Sequence, residues 1–179
     1  QEFGAPDPYY DGIRDFDDVE TFNYYKAHKS ESDIMDRINF GSRDNERRPF
    51  SWNGGEYSGF STAEPWIPIN SRYKEINLEK DMLSEKSVFK YYKKLLALRK
   101  NSPEILFGEF EVLSKPEDNY FAFTRTYEGK TLTVICNFEQ HSQITLPNIE
   151  GKLLLGNYSD RKAFSKLFRP YEAAIFGNI

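Results

Sequence analysis

The chain has 179 residues, of which 39% are hydrophobic and 16% aromatic, enough to bury a core in one good-sized domain or two small ones and too apolar for a disordered chain. A net charge of −4, with acidic and basic residues interspersed, excludes the basic footprint that a nucleic-acid backbone demands. No run approaches the about 18 consecutive apolar residues of a membrane-spanning helix, and the one cysteine, Cys136, sits in the apolar run Leu132–Val134–Cys136 as a small buried hydrophobe without an internal disulfide partner. That cysteine usage fits a reducing compartment. No charged-then-apolar leader opens the chain, and it starts at Gln1 without a methionine, so an excised segment is expected.

Residues 1–14, rich in Gly, Pro and Tyr and without a period, read as a loop packed by its aromatic side chains. Asp17 or Asp18 then caps a helix in which Val19, Phe22 and Tyr25 recur at helical spacing up to His28. Ser30-Glu31-Ser32-Asp33 has the spacing of a capping box and leads into a second helix through Ile34, Met35 and Ile38. From Gly41 to about Leu83 the pattern breaks into Arg-Asp-Asn, Pro49, Trp52, Gly54-Gly55, Gly59, Pro65, Trp66 and Pro68, a stretch expected to lack regular structure and to be functional. Ser84 or Ser87 opens the clearest helix, Ser87 to about Lys100. Its apolar face would hold Val88, Tyr91 or Tyr92, Leu95, Leu96 and Arg99, and Asn101-Ser102-Pro103 would end it.

Beyond Gly108 the period becomes two. Phe110–Val112, Tyr120–Arg125, Leu132–Cys136, Ile144–Leu146, Leu153–Leu155 and Ala173–Ile175 read as short strands between turn clusters such as Pro116-Glu117-Asp118-Asn119 and Glu128-Gly129. The expected architecture is therefore α+β, with helices and long loops over 1–106 followed by an antiparallel β-sandwich over 107–179.

Three blocks carry a family resemblance: Gly41-Ser42-Arg43-Asp44-Asn45-Glu46-Arg47-Arg48-Pro49-Phe50-Ser51-Trp52, then Ala63-Glu64-Pro65-Trp66-Ile67 with Asn70, then Tyr73-Lys74-Glu75-Ile76-Asn77. In this order they resemble the family 13 glycoside hydrolases of the oligo-1,6-glucosidase, dextran glucosidase and trehalose-6-phosphate hydrolase branch. Further blocks extend the likeness almost end to end. Gln1-Glu2-Phe3-Gly4 is similar to the end of the eighth barrel strand, Asp15–Tyr24 to the stretch after it, Phe89–Arg99 to the closing barrel helix, and Leu167–Phe176 to the final strands. Arg48 stands where the family usually has Thr, and Phe50-Ser51 where it usually has Met-Gln.

A complete (β/α)₈ barrel needs roughly 250 residues and cannot fit beside a sandwich here. The resemblance therefore implies the C-terminal part of a barrel plus the sandwich, with the nucleophilic Asp, the acid/base Glu and the transition-state-stabilising Asp all before Gln1, so that no catalytic residue lies in this chain. It implies substrate binding by Arg47, whose guanidinium fork suits a carboxylate and vicinal hydroxyls together. Arg43 is a second candidate, more readily explained as bonded to loop carbonyls, and Trp52 a candidate wall of the cleft, although packing is the commoner fate of Trp52 and Trp66 alike. Asp44 and Asn45 read as local backbone caps, and the carboxylate pairs Asp17/Asp18, Glu31/Asp33 and Asp44/Glu46 as caps and solvated faces rather than as a glycosidase pair. Glu2 reads as structural. His28 and His141 are too few and too far apart for a metal site, and no cofactor is implied.

The parent activity so implied is that of a retaining, exo-acting α-glucosidase cutting α-1,6 or related bonds of gluco-oligosaccharides, cytoplasmic, with the missing N-terminal barrel portion as its structural partner. Nucleic acid and membrane are not expected partners. The alternatives are a non-catalytic β-sandwich module that binds carbohydrate or serves structure, and a trehalose-6-phosphate hydrolase parent whose phosphate site Arg48 or Lys74 would supply.

Overall fold

The computed structural model describes residues 3–140, 142–144, 146 and 148–178. Glu2 and His141 lie outside the described residues. Backbone contacts divide the chain into two compact units, Gln1–Lys90 and Tyr91–Ile179, with the cut inside the helix Val88–Asn101.

The first unit is organised by Asp and Asn side chains as much as by apolar ones. Helix α1 (Val19–His28) begins at Asp18, whose side chain accepts the Thr21 N–H. Val19, expected on the buried stripe, is exposed, and Thr21 is buried in its place because its hydroxyl is tied to Asp18 and to Ser42. Before α2 (Ile34–Gly41) the expected capping box does not form: Asp33 is the cap residue but makes no cap bond, and both Glu31 and Asp33 turn to Arg37 at 2.9 Å. Ile34 and Ile38 bury against Phe16, with Tyr10, Ile13, Tyr25 and Met35 packed around them.

The stretch from Gly41 to Leu83 is more regular than its composition suggested. It contains two 3₁₀ turns, Arg43–Asn45 and Glu56–Gly59, and a helix α3 (Leu78–Leu83). Asn77 caps α3 by accepting the Lys80 N–H at 3.0 Å while its amide donates to the Tyr73 carbonyl at 2.7 Å. Leu78 and Glu79 donate to the carbonyls of Ser51 and Trp52, and Trp52 and Asn53 in turn donate to that of Ser58, so the loop is laced by main-chain bonds. Reaching that geometry takes three successive left-handed residues, Tyr57 (φ 45), Ser58 (φ 55) and Gly59 (φ 68), and a side chain at Gly59 would run into Asn53.

In the second unit, the rest of α4 (Val88–Asn101) is followed by α5 (Pro103–Phe107), a short helix that begins at the proline expected only to end its predecessor. Among the described residues seven strands follow: β1 (Glu109–Val112), β2 (Tyr120–Tyr127), β3 (Lys130–Asn137), β4 (Ser142–Gln143), β5 (Lys152–Gly156), β6 (Leu167–Phe168) and β7 (Ala173–Gly177). They form a five-stranded sheet in the order β1-β2-β3-β7-β5 and a two-stranded sheet β4-β6, and every pairing among the described residues is antiparallel.

Alternation along the strands decides what is buried. The register sets Ala122 opposite Ile135 and Ile135 opposite Ala174, a rung that solvent does not reach. Tyr120, Phe176, Ile144, Leu146 and Phe168 complete that core. On the other face Leu132 is buried, and Arg125 donates to the carbonyls of Glu104 and Ile105, joining β2 to α5. Phe110, Phe121 and Phe123 also lie off the core face, with ring centroids 5.1 and 5.5 Å apart, and Phe110 and Phe121 are exposed. Cys136 is half-buried, and burial pushes its thiol pKa up.

Candidate functional site

The candidate site is assembled where the start of α1 meets the turn that follows α2. Ser42 opens the Arg43–Asn45 turn, its hydroxyl accepting the Asp44 N–H at 3.3 Å and lying 3.0 Å from the Thr21 hydroxyl. Asp44 is not the local cap its position suggested. Its Oδ2 accepts the backbone N–H groups of Asp17 at 2.7 Å and Asp18 at 3.1 Å, far away in sequence, and so fixes the lead into α1. Asn45 donates to the Asn39 carbonyl at 2.7 Å, which locks the same turn to the end of α2.

Asp18 is as fully engaged. Its Oδ2 accepts both the N–H (2.9 Å) and the hydroxyl (3.0 Å) of Thr21. Burial opposes ionisation of this carboxyl, but the two Thr21 donors and the Arg47 and Arg43 charges outweigh it, leaving the pKa below the usual aspartate value. Both carboxylates are thus engaged by donors of this chain, Asp18 by Thr21 and Asp44 by the backbone of Asp17 and Asp18. Among the described residues no group of three or more His, Cys, Asp and Glu side chains is placed to hold a metal ion.

Arg47 extends over these two carboxylates. Its Nη1 lies 3.3 Å from Asp18 Oδ1 and 3.5 Å from Asp44 Oδ1, while 42% of its side chain remains open to solvent. Arg48, the next residue, is enclosed: its side chain is only 2% exposed, and it donates to the carbonyls of Asn45 (3.1 Å) and Pro6 (2.6 Å) and to Asp7 Oδ1 (2.6 Å). Arg43 reaches Glu20 at 3.4 Å on the surface rather than bonding to loop carbonyls.

Trp52 is half-exposed, its ring edge-on to Phe50 at 4.8 Å, and Phe50 in turn meets Phe3 at 5.1 Å. Trp66 is 71% exposed, so packing, expected for both tryptophans, describes neither of them fully. An open groove of about 570 Å³ runs between α1 and α2 past Asp18, Thr21, Tyr24, Arg37 and Arg43, but both of its arginines are already paired, Arg43 with Glu20 and Arg37 with Glu31 and Asp33. The side chains sequence reasoning undervalued are Asp18 and Asp44. A carboxylate in a turn signals a cap, and nothing in the sequence says that Asp44 caps a distant segment.

The family description "Alpha amylase, catalytic domain" matches residues 2–108. The oligo-1,6-glucosidase of Bacillus cereus is 36% identical over 188 residues, which cover 98% of this chain and 34% of that protein. The trehalose-6-phosphate hydrolase of Bacillus subtilis (strain 168) is 34% identical over the same length, again with 98% and 34% coverage. The crystal structure of isomaltulose synthase from Klebsiella sp. LX3 superposes with a TM-score of 0.88 at 28% identity, covering 98% of this chain and 34% of that one. The chain thus spans about a third of the length of the relatives it matches. With its catalytic-domain match over residues 2–108 and its likeness to these glycosidases along nearly its whole length, the chain belongs to the alpha-amylase family.

Proposed function

We propose that the chain is the C-terminal third of a retaining, exo-acting α-glucosidase that cleaves α-1,6 or related bonds at the non-reducing end of short gluco-oligosaccharides. Residues of the first unit complete the barrel and its cleft, and the antiparallel sheets of the second form the C-terminal sandwich. The observation that carries this reading is Arg47: in the segment most like the oligo-1,6-glucosidases, it is anchored along one edge and open along the other. Its open donors suit the vicinal hydroxyls of a terminal glucose. Trp52 and Arg43 stand on the same stretch as candidate cleft wall and outer contact.

The chemistry belongs to carboxylates outside this chain. One attacks the anomeric carbon as an acid protonates the departing glycosidic oxygen. Water, deprotonated by the former acid, then displaces the enzyme carboxylate and releases glucose with its configuration retained. The exposed apolar side chains of the first unit, among them Phe40 at 91% and Leu83 at 81%, support a covering segment in the intact enzyme. A trehalose-6-phosphate parent is the less supported reading, because Arg48 is already bonded to Pro6, Asp7 and Asn45, leaving only the exposed Lys74 of the two cations considered for phosphate.

The test is to join the chain behind the preceding two-thirds of the B. cereus relative and to follow hydrolysis of isomaltose and p-nitrophenyl α-glucoside. Arg47→Ala should lower kcat/KM by roughly 100-fold, the scale of losing two hydrogen bonds from a charged group. A variant as active as its parent removes Arg47 from the site.

A further inference from the structure

We propose that Asp18 and Asp44 are positioning residues that aim the Arg47 guanidinium, an inference that rests on the reading of Arg47 as a substrate contact. Each carboxylate divides its two oxygens between tasks. Oδ2 of Asp18 holds the start of α1 through Thr21, and Oδ2 of Asp44 holds the segment before it through the N–H groups of Asp17 and Asp18. The remaining oxygen of each, Oδ1, faces the same atom, Nη1 of Arg47, at 3.3 and 3.5 Å.

Burial makes this arrangement directional. The Asp18 and Asp44 side chains are 6% and 3% exposed, whereas Arg47 is 42% exposed, so the guanidinium is held from beneath and its outer edge faces solvent. Among the described residues Nε and Nη2 of Arg47 donate no hydrogen bond, and these donors are what a ligand would meet. The carboxylates cannot drift with the arginine, because the Thr21 and Ser42 hydroxyls and the Asp44 N–H close a ring between α1 and the Arg43–Asn45 turn. A long side chain fixed in advance loses less freedom on binding and presents its fork in one orientation. Removing the negative charge under Nη1 would leave Arg47 present but unaimed.

Asparagine substitution separates aiming from capping. In Asp18→Asn and Asp44→Asn the amide oxygen can still accept the same N–H groups, while an NH₂ group replaces the oxygen that faces Arg47. In the joined enzyme each variant is expected to raise KM for isomaltose about 5–10-fold with a smaller change in kcat, the loss of one charge-assisted contact. In an Arg47→Ala background the same substitutions should change KM less than about 2-fold, as coupled residues require. Equal effects with and without Arg47, or none with it, overturn the proposal while leaving the substrate role of Arg47 standing. An Arg47→Ala enzyme of undiminished activity overturns both. Should the Asn variants fail to fold, the 179-residue chain supplies a second readout: by carbon-detected NMR titration, Asp18 should ionise at higher pH in Arg47→Gln, and an unmoved midpoint overturns the proposal.

Discussion

At Arg47 and Arg48 two identical guanidinium groups on adjacent residues meet different partners. Arg48 spends its donors on Asn45, Pro6 and Asp7 and pins the aromatic loop of residues 3–16, whereas Arg47 keeps an open edge above Asp18 and Asp44. Family likeness singled out Arg47, but residue chemistry alone could not have separated the two, because their difference lies in what the fold places around each. The same holds for Glu172, which is buried and accepts from Arg161 Nε (2.5 Å) and Nη2 (3.0 Å) and from the N–H (2.8 Å) and Nη2 (2.9 Å) of Arg169. Burial opposes its ionisation, but these donors outweigh it and hold its pKa near about 2, against an ordinary value of 4.5. A carboxyl with its folded pKa so depressed contributes stability that is complete above pH 4.5 and is lost as pH falls toward about 2. The hydrogen-exchange protection of β3 and β7 amides, taken against the intrinsic rate at each pH, should therefore fall over that window in the natural chain. Glu172→Gln, which leaves the buried Arg161 guanidinium without its counter-charge and Arg169 with Asp160 alone, should cost roughly 3–5 kcal/mol of protection at neutral pH and abolish the acid step. Unchanged protection at neutral pH, or a preserved acid step, would contradict this.

At the scale of elements, periodicity located what it could act on. Helix α1 starts at Asp18 and the strands from β1 to β3 sit where alternation put them, since a capped start and a period of two are local properties. The capping box before α2 was misread because Arg37 competes for both acids. Helix α3 was missed although Asn77 before Leu-Glu-Lys is a legible cap, because six residues give too short a period to register. On α4 Val88, Tyr91 and Leu95 are half-buried as inferred, but Leu98 joins their stripe while Leu96 and Arg99 are exposed. The start of α4 is also held from outside. Beyond Ser87, whose hydroxyl accepts the Lys90 N–H, Asp81 accepts the N–H groups of Val88 (3.0 Å) and Phe89 (2.9 Å) and the Ser87 hydroxyl (2.8 Å). Asp81→Ala should destabilise this helix start by about 1–2 kcal/mol, and Asp81→Asn by less. Amide exchange at Val88–Lys90 reads the difference, and equal exchange in both variants would show that Asp81 is not the cap.

For the whole molecule, the antiparallel sheets and their core were within reach of the sequence, since alternating apolar residues must share a face and meet across the strands. The first unit was not, because it is shaped by long-range Asp and Asn bonds and by side chains that find no cover in it, such as Phe40, Leu83 and Trp66. Those exposed residues, and the third of the relatives' length that the chain spans, are what a dependent segment of a larger glycosidase would show. The most direct measurement of that claim is glucose release from isomaltose by the purified 179-residue chain alone. No release above buffer, with activity appearing once the chain is joined to the preceding portion of its relative, is the predicted result. Glucose released by the isolated chain would place the catalytic carboxylates within these residues and contradict the account.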